Sequence, residues 1–170
     1  IAAGKLWNVG QTCVAPDYMF LPKGKTEAFI EHFKAYVSKM YPSFKDNQDY
    51  TAIINDKQYQ RLQNYLKDAQ EKGAKIIEIY KEKEDLSATR KVAPTLLTHV
   101  TQDMQIMQEE IFGPLLPILE YEQIDDVIDF INSRPRPLAL YYFDFNRARA
   151  NYVAQRTHSG HFGQNTVITH

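Results

Sequence analysis

Residues 115–143, LLPILEYEQIDDVIDFINSRPRPLALYYF, decide the fold class. Leu115 to Tyr121 is an apolar run of strand length. Ile124 to Asn132 places Ile124, Val127, Ile128 and Ile131 on one face of a short amphipathic helix. Leu138 to Phe143 is again continuously apolar, which reads as a strand buried on both sides. Strand, helix and strand in that order imply an α/β layer structure with a mostly parallel sheet.

The same alternation extends outward in both directions. Downstream, Asn146 to Thr157 forms a last helix, Ser159-Gly160 ends it, and Gly160 to Asn165 returns as a strand. Upstream, Val92 to Thr98 is strand-like, with Pro94 demoting part of it to an edge or a bend. Lys81 to Lys91 is charged and nearly balanced in sign, the pattern of a solvated loop. Lys75 to Tyr80 reads as a strand. Before it, Tyr59, Leu62, Tyr65, Leu66 and Ala69 stripe a helix over Lys57 to Lys72, closed by Gly73.

Nearer the N-terminus, Ser43 to Tyr50 is a polar linker. Ala28, Phe29, Ile30, Phe33, Tyr36, Val37 and Met40 give one apolar face to a helix capped by Thr26 and stopped by Pro42. Asp17 to Leu21 is a short strand ended by Pro22-Lys23-Gly24. Ile1 to Trp7 reads as the interior of an element, and the chain stops at His170 without a polar tail, so it is expected to be a piece of a longer protein. The 170 residues are read as one domain.

Composition excludes several classes. The apolar fraction of 44% is too high for a disordered chain. Twenty basic against 21 acidic residues leave no basic excess for nucleic acid. No apolar run has the roughly 18 residues of a membrane span. One cysteine allows no internal disulfide, which points to a reducing, cytoplasmic setting.

That cysteine, Cys13, lies in Gly10-Gln11-Thr12-Cys13. It reads either as a small buried hydrophobe or as a nucleophile at a turn. In a turn, free backbone N–H groups lower a thiol pKa and stabilise an oxyanion. Glu109-Glu110-Ile111-Phe112-Gly113-Pro114 reads either as a polar turn before the strand at Leu115, or as a carboxylate that holds sugar hydroxyls beside the apolar face of Phe112. The five histidines, His32, His99, His158, His161 and His170, form no helical pair, so no metal is expected. No glycine-rich phosphate fingerprint is present.

Gly10-Gln11-Thr12-Cys13, followed by Ala15-Pro16-Asp17-Tyr18, resembles the nucleophile motif of the NAD(P)-dependent aldehyde dehydrogenase superfamily. Met107-Gln108-Glu109-Glu110-Ile111-Phe112-Gly113-Pro114 resembles its second signature. Pro137-Leu138-Ala139-Leu140-Tyr141, Ser159-Gly160 and Asn165 match further segments in order. The closest branch is class 3 with the bacterial coniferyl aldehyde dehydrogenases. Residues Gly160 to Asn165 are bulkier than is usual in that branch, and Ser87 to Lys91 is locally individual.

The resemblance implies a three-layer α/β catalytic domain over residues 1–170. It implies oxidation of an aldehyde, aromatic and coniferyl-like, to an acid with NAD or NADP through a thiohemiacetal and a thioester. Cys13 is then the nucleophile, with its own N–H in the oxyanion hole. Glu110 holds the nicotinamide-ribose hydroxyls and Phe112 packs at the same end of the cofactor. The general base, the oxyanion-hole asparagine and most of the cofactor-binding domain are implied to lie upstream, and the full-length protein to be a homodimer. The alternatives are an acylating dehydrogenase or acyl transferase using the same cysteine, and a non-catalytic binding or structural relative.

Overall fold

The computed structural model of the chain describes residues 1–80 and 84–168. In chain order the helices and strands are α1 (Ala2–Leu6), β1 (Met19–Pro22), α2 (Thr26–Met40), α3 (Asp56–Glu71), β2 (Lys75–Glu78), β3 (Thr95–Thr98), β4 (Leu115–Tyr121), α4 (Ile124–Asn132), β5 (Ala139–Tyr142), α5 (Arg147–Arg156) and β6 (His161–Gln164). The α/β class and the predominance of parallel pairing follow the sequence reading.

The main sheet runs β1-β4-β3-β2. β4 is parallel to both neighbours, and only β2 is antiparallel, against β3. Leu115, Leu116 and Pro117 of β4 pair with β3, and Ile118 to Tyr121 pair with β1. Pro117, which lacks a donor, falls at this changeover between neighbours. β3 is buried at all four residues and lies inside the sheet. Pro94 therefore acts as a bend before the strand, and its carbonyl still accepts from the Ile79 N–H at 2.8 Å.

Leu138 to Phe143 departs from expectation. β5 pairs with β6 in a separate two-stranded parallel sheet, not with β4. Of Leu138 to Phe143 only Leu140 is buried, packed on Ile128 of α4 and Val153 of α5. Leu138 and Phe143 are 59% and 46% exposed, so the run is not covered on both faces. A continuous apolar run carries no periodicity from which to tell a two-faced strand from a one-faced ribbon.

Three further expectations change. Thr26 does not cap α2: Lys25 is the N-cap residue, without a side-chain cap, and the Thr26 hydroxyl donates instead to Glu120 Oε1 at 2.6 Å. Tyr36 lies off the buried face of that helix, which consists of Ile30, Phe33 and Val37. The stretch Ser43 to Tyr50 is not simply a polar linker, because Phe44 and Tyr50 are fully buried in the main core. Their rings pack with Tyr41, and Phe44 also with Tyr80.

The charged segment after β2 secures this aromatic loop. Lys81 to Lys83 lie outside the described residues. The Glu84 carboxylate accepts the backbone N–H groups of Phe44 and Lys45, and Lys91 Nζ donates to the carbonyls of Phe44, Lys45 and Asn47. With Leu86 also buried, this part is a brace rather than a solvated loop. No helix among the described residues is long and apolar enough to cross a membrane.

Candidate active site

The turn that carries Cys13 begins where α1 stops. Trp7–Gly10 is a short 3-10 segment in which Asn8 (φ 48°), Val9 (φ 55°) and Gly10 (φ 75°) are all left-handed. A β-branched residue in that region is strained by about 1–2 kcal/mol, so packing must impose it. Val9 is held in the core at 1% exposure. Gln11 then fastens the turn at both ends of its amide. Its Nε2 donates to Ala52 O (3.1 Å) and its Oε1 accepts from Ile54 N–H (2.9 Å).

Cys13 is exposed, which removes the buried-hydrophobe reading. The Ala15 N–H donates to Thr12 O at 3.1 Å, closing a tight turn around the thiol residue. Tyr141 of β5 donates its hydroxyl to Val14 O at 2.8 Å, which ties the small sheet to this turn. Among the described residues no acceptor engages the Cys13 N–H, and the buried Thr12 Oγ1 has no hydrogen-bond partner.

The second loop, Glu109 to Gly113, leads into β4. The two adjacent acids are used differently. Glu109 Oε2 accepts the Tyr65 hydroxyl at 2.7 Å, so its carboxylate is tied into the structure. Glu110 is exposed. Phe112 is left-handed (φ 49°) and 39% exposed despite its large apolar ring. Arg61 of α3 donates to Glu110 O (2.9 Å) and Ile111 O (2.6 Å), and Asp17 Oδ1 accepts the Ile111 N–H (2.9 Å).

The two loops touch. A Cβ added to Gly10 would lie 2.3 Å from Gly113 O, closer than atoms tolerate. Gly113 itself presses on Leu62, whose methyls would lie 2.6 and 2.8 Å from an added Cβ. Glycine at position 10 lets the nucleophile turn and the Glu110–Phe112 loop pack backbone on backbone, and glycine at position 113 lets that loop lie against Leu62 of α3.

A buried charge pair lies behind this contact. Burial holds the Lys5 ammonium down to about 8, and Asp17 partly opposes the shift. Burial pushes the Asp17 carboxyl up, while Lys5, the Ile111 N–H, Arg61 and Arg134 pull it down. Arg134 in turn donates to Met107 O and lies over the Phe130 ring at 4.6 Å. Arg61, Tyr65 and Arg134 lie outside the quoted motifs, and Asp17, which lies inside the first of them, carries no role in the sequence reading. The available signal was Arg61 one turn before Tyr65, a cation beside the apolar stripe of α3.

The Glu110–Phe112 loop could hold a ligand that carries both hydroxyls and an apolar ring. An exposed carboxylate accepts from vicinal hydroxyls, and an exposed ring in the same loop offers an apolar face.

A sequence profile of the aldehyde dehydrogenase family matches residues 1–170. The probable coniferyl aldehyde dehydrogenase of Pseudomonas aeruginosa is 48% identical over 170 residues, spanning 100% of this chain. The coniferyl aldehyde dehydrogenase of a Pseudomonas species is 46% identical over 168 residues, spanning 98%. The chain spans 35% of the length of each of these relatives. Among solved structures, the substrate-bound state of Staphylococcus aureus AldH superposes with a TM-score of 0.87 at 37% identity, covering 98% of this chain and 36% of that one. The NAD+ complex of an aldehyde dehydrogenase from Bacillus cereus superposes with a TM-score of 0.81 at 26% identity, covering 99% and 34%.

Proposed function

The chain belongs to the aldehyde dehydrogenase family, and on that premise we propose that the protein containing it oxidises an aldehyde to a carboxylic acid with NAD or NADP, using Cys13 as nucleophile. The observation that carries the proposal is the exposed Cys13 on a strained turn packed directly against the loop that presents Glu110 and Phe112.

In this reading the Cys13 thiolate adds to the aldehyde carbon and forms a thiohemiacetal. The Cys13 N–H faces the carbonyl oxygen and stabilises the charge that develops there. The chemistry that NAD or NADP would supply is a hydride acceptor for that same carbon. Glu110 would hold the cofactor by accepting hydrogen bonds from its ribose hydroxyls, and Phe112 would offer its ring beside them. Cys13 is left as a thioester. Water hydrolyses it to the acid and the free thiol, assisted by a base from outside these residues.

The similarity to coniferyl aldehyde dehydrogenases supports an aromatic, coniferyl-like aldehyde as substrate. Residues 1–170 are the catalytic domain in this reading, and the cofactor-binding domain is supplied elsewhere. A cytoplasmic homodimer follows from the family resemblance, and the single cysteine fits a reducing compartment. The test is NAD(P)H formation by the full-length protein with coniferyl aldehyde, with and without coenzyme A. Acid formation independent of coenzyme A supports the reading. An absolute requirement for coenzyme A, with a thioester as product, replaces it by an acylating dehydrogenase.

A further inference from the structure

We propose that Arg61 is a positioning residue for cofactor binding: it fixes the peptide plane between Glu110 and Ile111, and so sets where the Glu110 carboxylate and the Phe112 ring stand. The proposal rests on the assignment of Glu110 to the cofactor made above.

Every arm of the Arg61 fork is used. Nε donates to Gln58 Oε1 at 2.6 Å, and Nη1 donates to Tyr65 Oη at 2.8 Å and to Glu110 O at 2.9 Å. Nη2 donates to Ile111 O at 2.6 Å. The guanidinium also lies over the Tyr65 ring, 5.0 Å from its centre. A planar group held on all sides has one orientation, and the two carbonyls it grips are fixed with it.

The other edge of the same peptide is held independently. The Ile111 N–H donates to Asp17 Oδ1 at 2.9 Å, from the segment that follows the nucleophile turn. The carbonyl and the N–H of one peptide plane are thus gripped by side chains from opposite directions. Rotating that plane breaks both grips. This matters because Phe112, two residues on from Glu110, is left-handed at φ 49°, a conformation that non-glycine residues leave unless neighbours enforce it. Tyr65, the residue that Arg61 contacts, also donates its hydroxyl to the Glu109 carboxylate. Arg61 touches none of the reacting atoms in this arrangement. It acts through the loop.

The experiment is a double-mutant cycle in the full-length protein. NAD and NADP affinity is measured by calorimetry, and Cys13 reactivity by its rate of alkylation with iodoacetamide without cofactor. Arg61→Ala is expected to weaken cofactor binding about tenfold, the equivalent of two hydrogen bonds that no longer order the loop. Arg61→Lys is expected to weaken it similarly, because one ammonium cannot span both carbonyls. Glu110→Ala weakens binding to a comparable extent, and the double variant is no weaker than the worse single one. Alkylation stays within about twofold of wild type, since the nucleophile turn has its own fastenings. If Arg61→Ala does not fold, Arg61→Lys carries the same comparison.

Wild-type affinity in the Arg61 variants, with weakened binding in Glu110→Ala, overturns the role of Arg61 and leaves that of Glu110 intact. Strict additivity in the double variant overturns it too, because Arg61 would then act by a separate route. Wild-type affinity in Glu110→Ala contradicts the assignment of Glu110 itself.

Discussion

Gly10 and Gly113 meet backbone to backbone: a single carbon added at Gly10 would stand 2.3 Å from the Gly113 carbonyl oxygen. Through this contact the turn bearing Cys13 sets its distance from the loop bearing Glu110 and Phe112. Gly24 provides the control. It has nearly the same backbone angle, φ 77° against 75°, and an added Cβ there meets nothing within 4 Å. Gly24→Ala is therefore expected to cost only about 1 kcal/mol, the strain of the angle. Gly10→Ala adds overpacking and is expected to cost about 2–5 kcal/mol, with loss of turnover per folded molecule. Denaturant melts of both variants check this, and equal losses would remove the close approach from the account.

Glu110→Gln is expected to slow the hydride step or raise the cofactor KM by roughly tenfold or more, since a charged acceptor to a hydroxyl contributes about 1.5–3 kcal/mol. The exposed carboxylate has no part in the core, so the melting temperature should not move. Early melting with normal activity per folded molecule would make Glu110 structural.

Lys5 predicts a pH dependence with a definite sign. Its ammonium is held down to about 8 from 10.5 by burial. Between those values the unfolded chain binds a proton that the folded chain has released, so stability rises with pH through that window. The full rise is on the order of 3 kcal/mol. Above pH 10 the buried Tyr50 acts in the opposite sense, because burial pushes its phenol well above 10 and the unfolded chain ionises first. The clean interval is thus pH 8 to 10. Melting temperatures over this interval should climb in the wild type relative to Lys5→Met, and parallel curves would contradict the buried ammonium.

Residues 1–170 produced alone are expected to fold, because a continuous core runs from α1 to β4. They are expected not to bind NAD or NADP at roughly micromolar affinity, since Glu110 and Phe112 make one wall of the proposed site. Phe145, Ile54 and Trp7, at 95%, 72% and 65% exposure, also favour self-association of the isolated unit. Calorimetric titration and light scattering test both points. Micromolar cofactor binding would show a complete site within these residues.

The sequence yielded elements wherever periodicity was strong. The stripe of α4 and the run of β4 fell at their exact bounds, while Cys13 and Glu110 stood out as candidates whose roles came from the family resemblance. What escaped has physical reasons. Phe44 and Tyr50 are isolated aromatics in a polar stretch, and an isolated residue has no period to reveal its burial. Lys91 and Glu84 look like surface charges until the chain folds back and offers them backbone groups to satisfy. Leu138 to Phe143 showed its strand but not its partner, since an apolar run does not say which sheet it joins. Arg61 and Asp17 bond to backbone atoms of residues 49 and 94 positions away respectively, and such contacts leave no local signature.

The central claim is that Cys13 carries the covalent chemistry. Its most direct test is mass spectrometry of the Cys13 peptide from full-length protein quenched during turnover with an aromatic aldehyde and cofactor. The account predicts an acyl group on Cys13, absent from the Cys13→Ser variant, which should also form no NAD(P)H. Acylation at another residue, or near-normal turnover by Cys13→Ser, would contradict it.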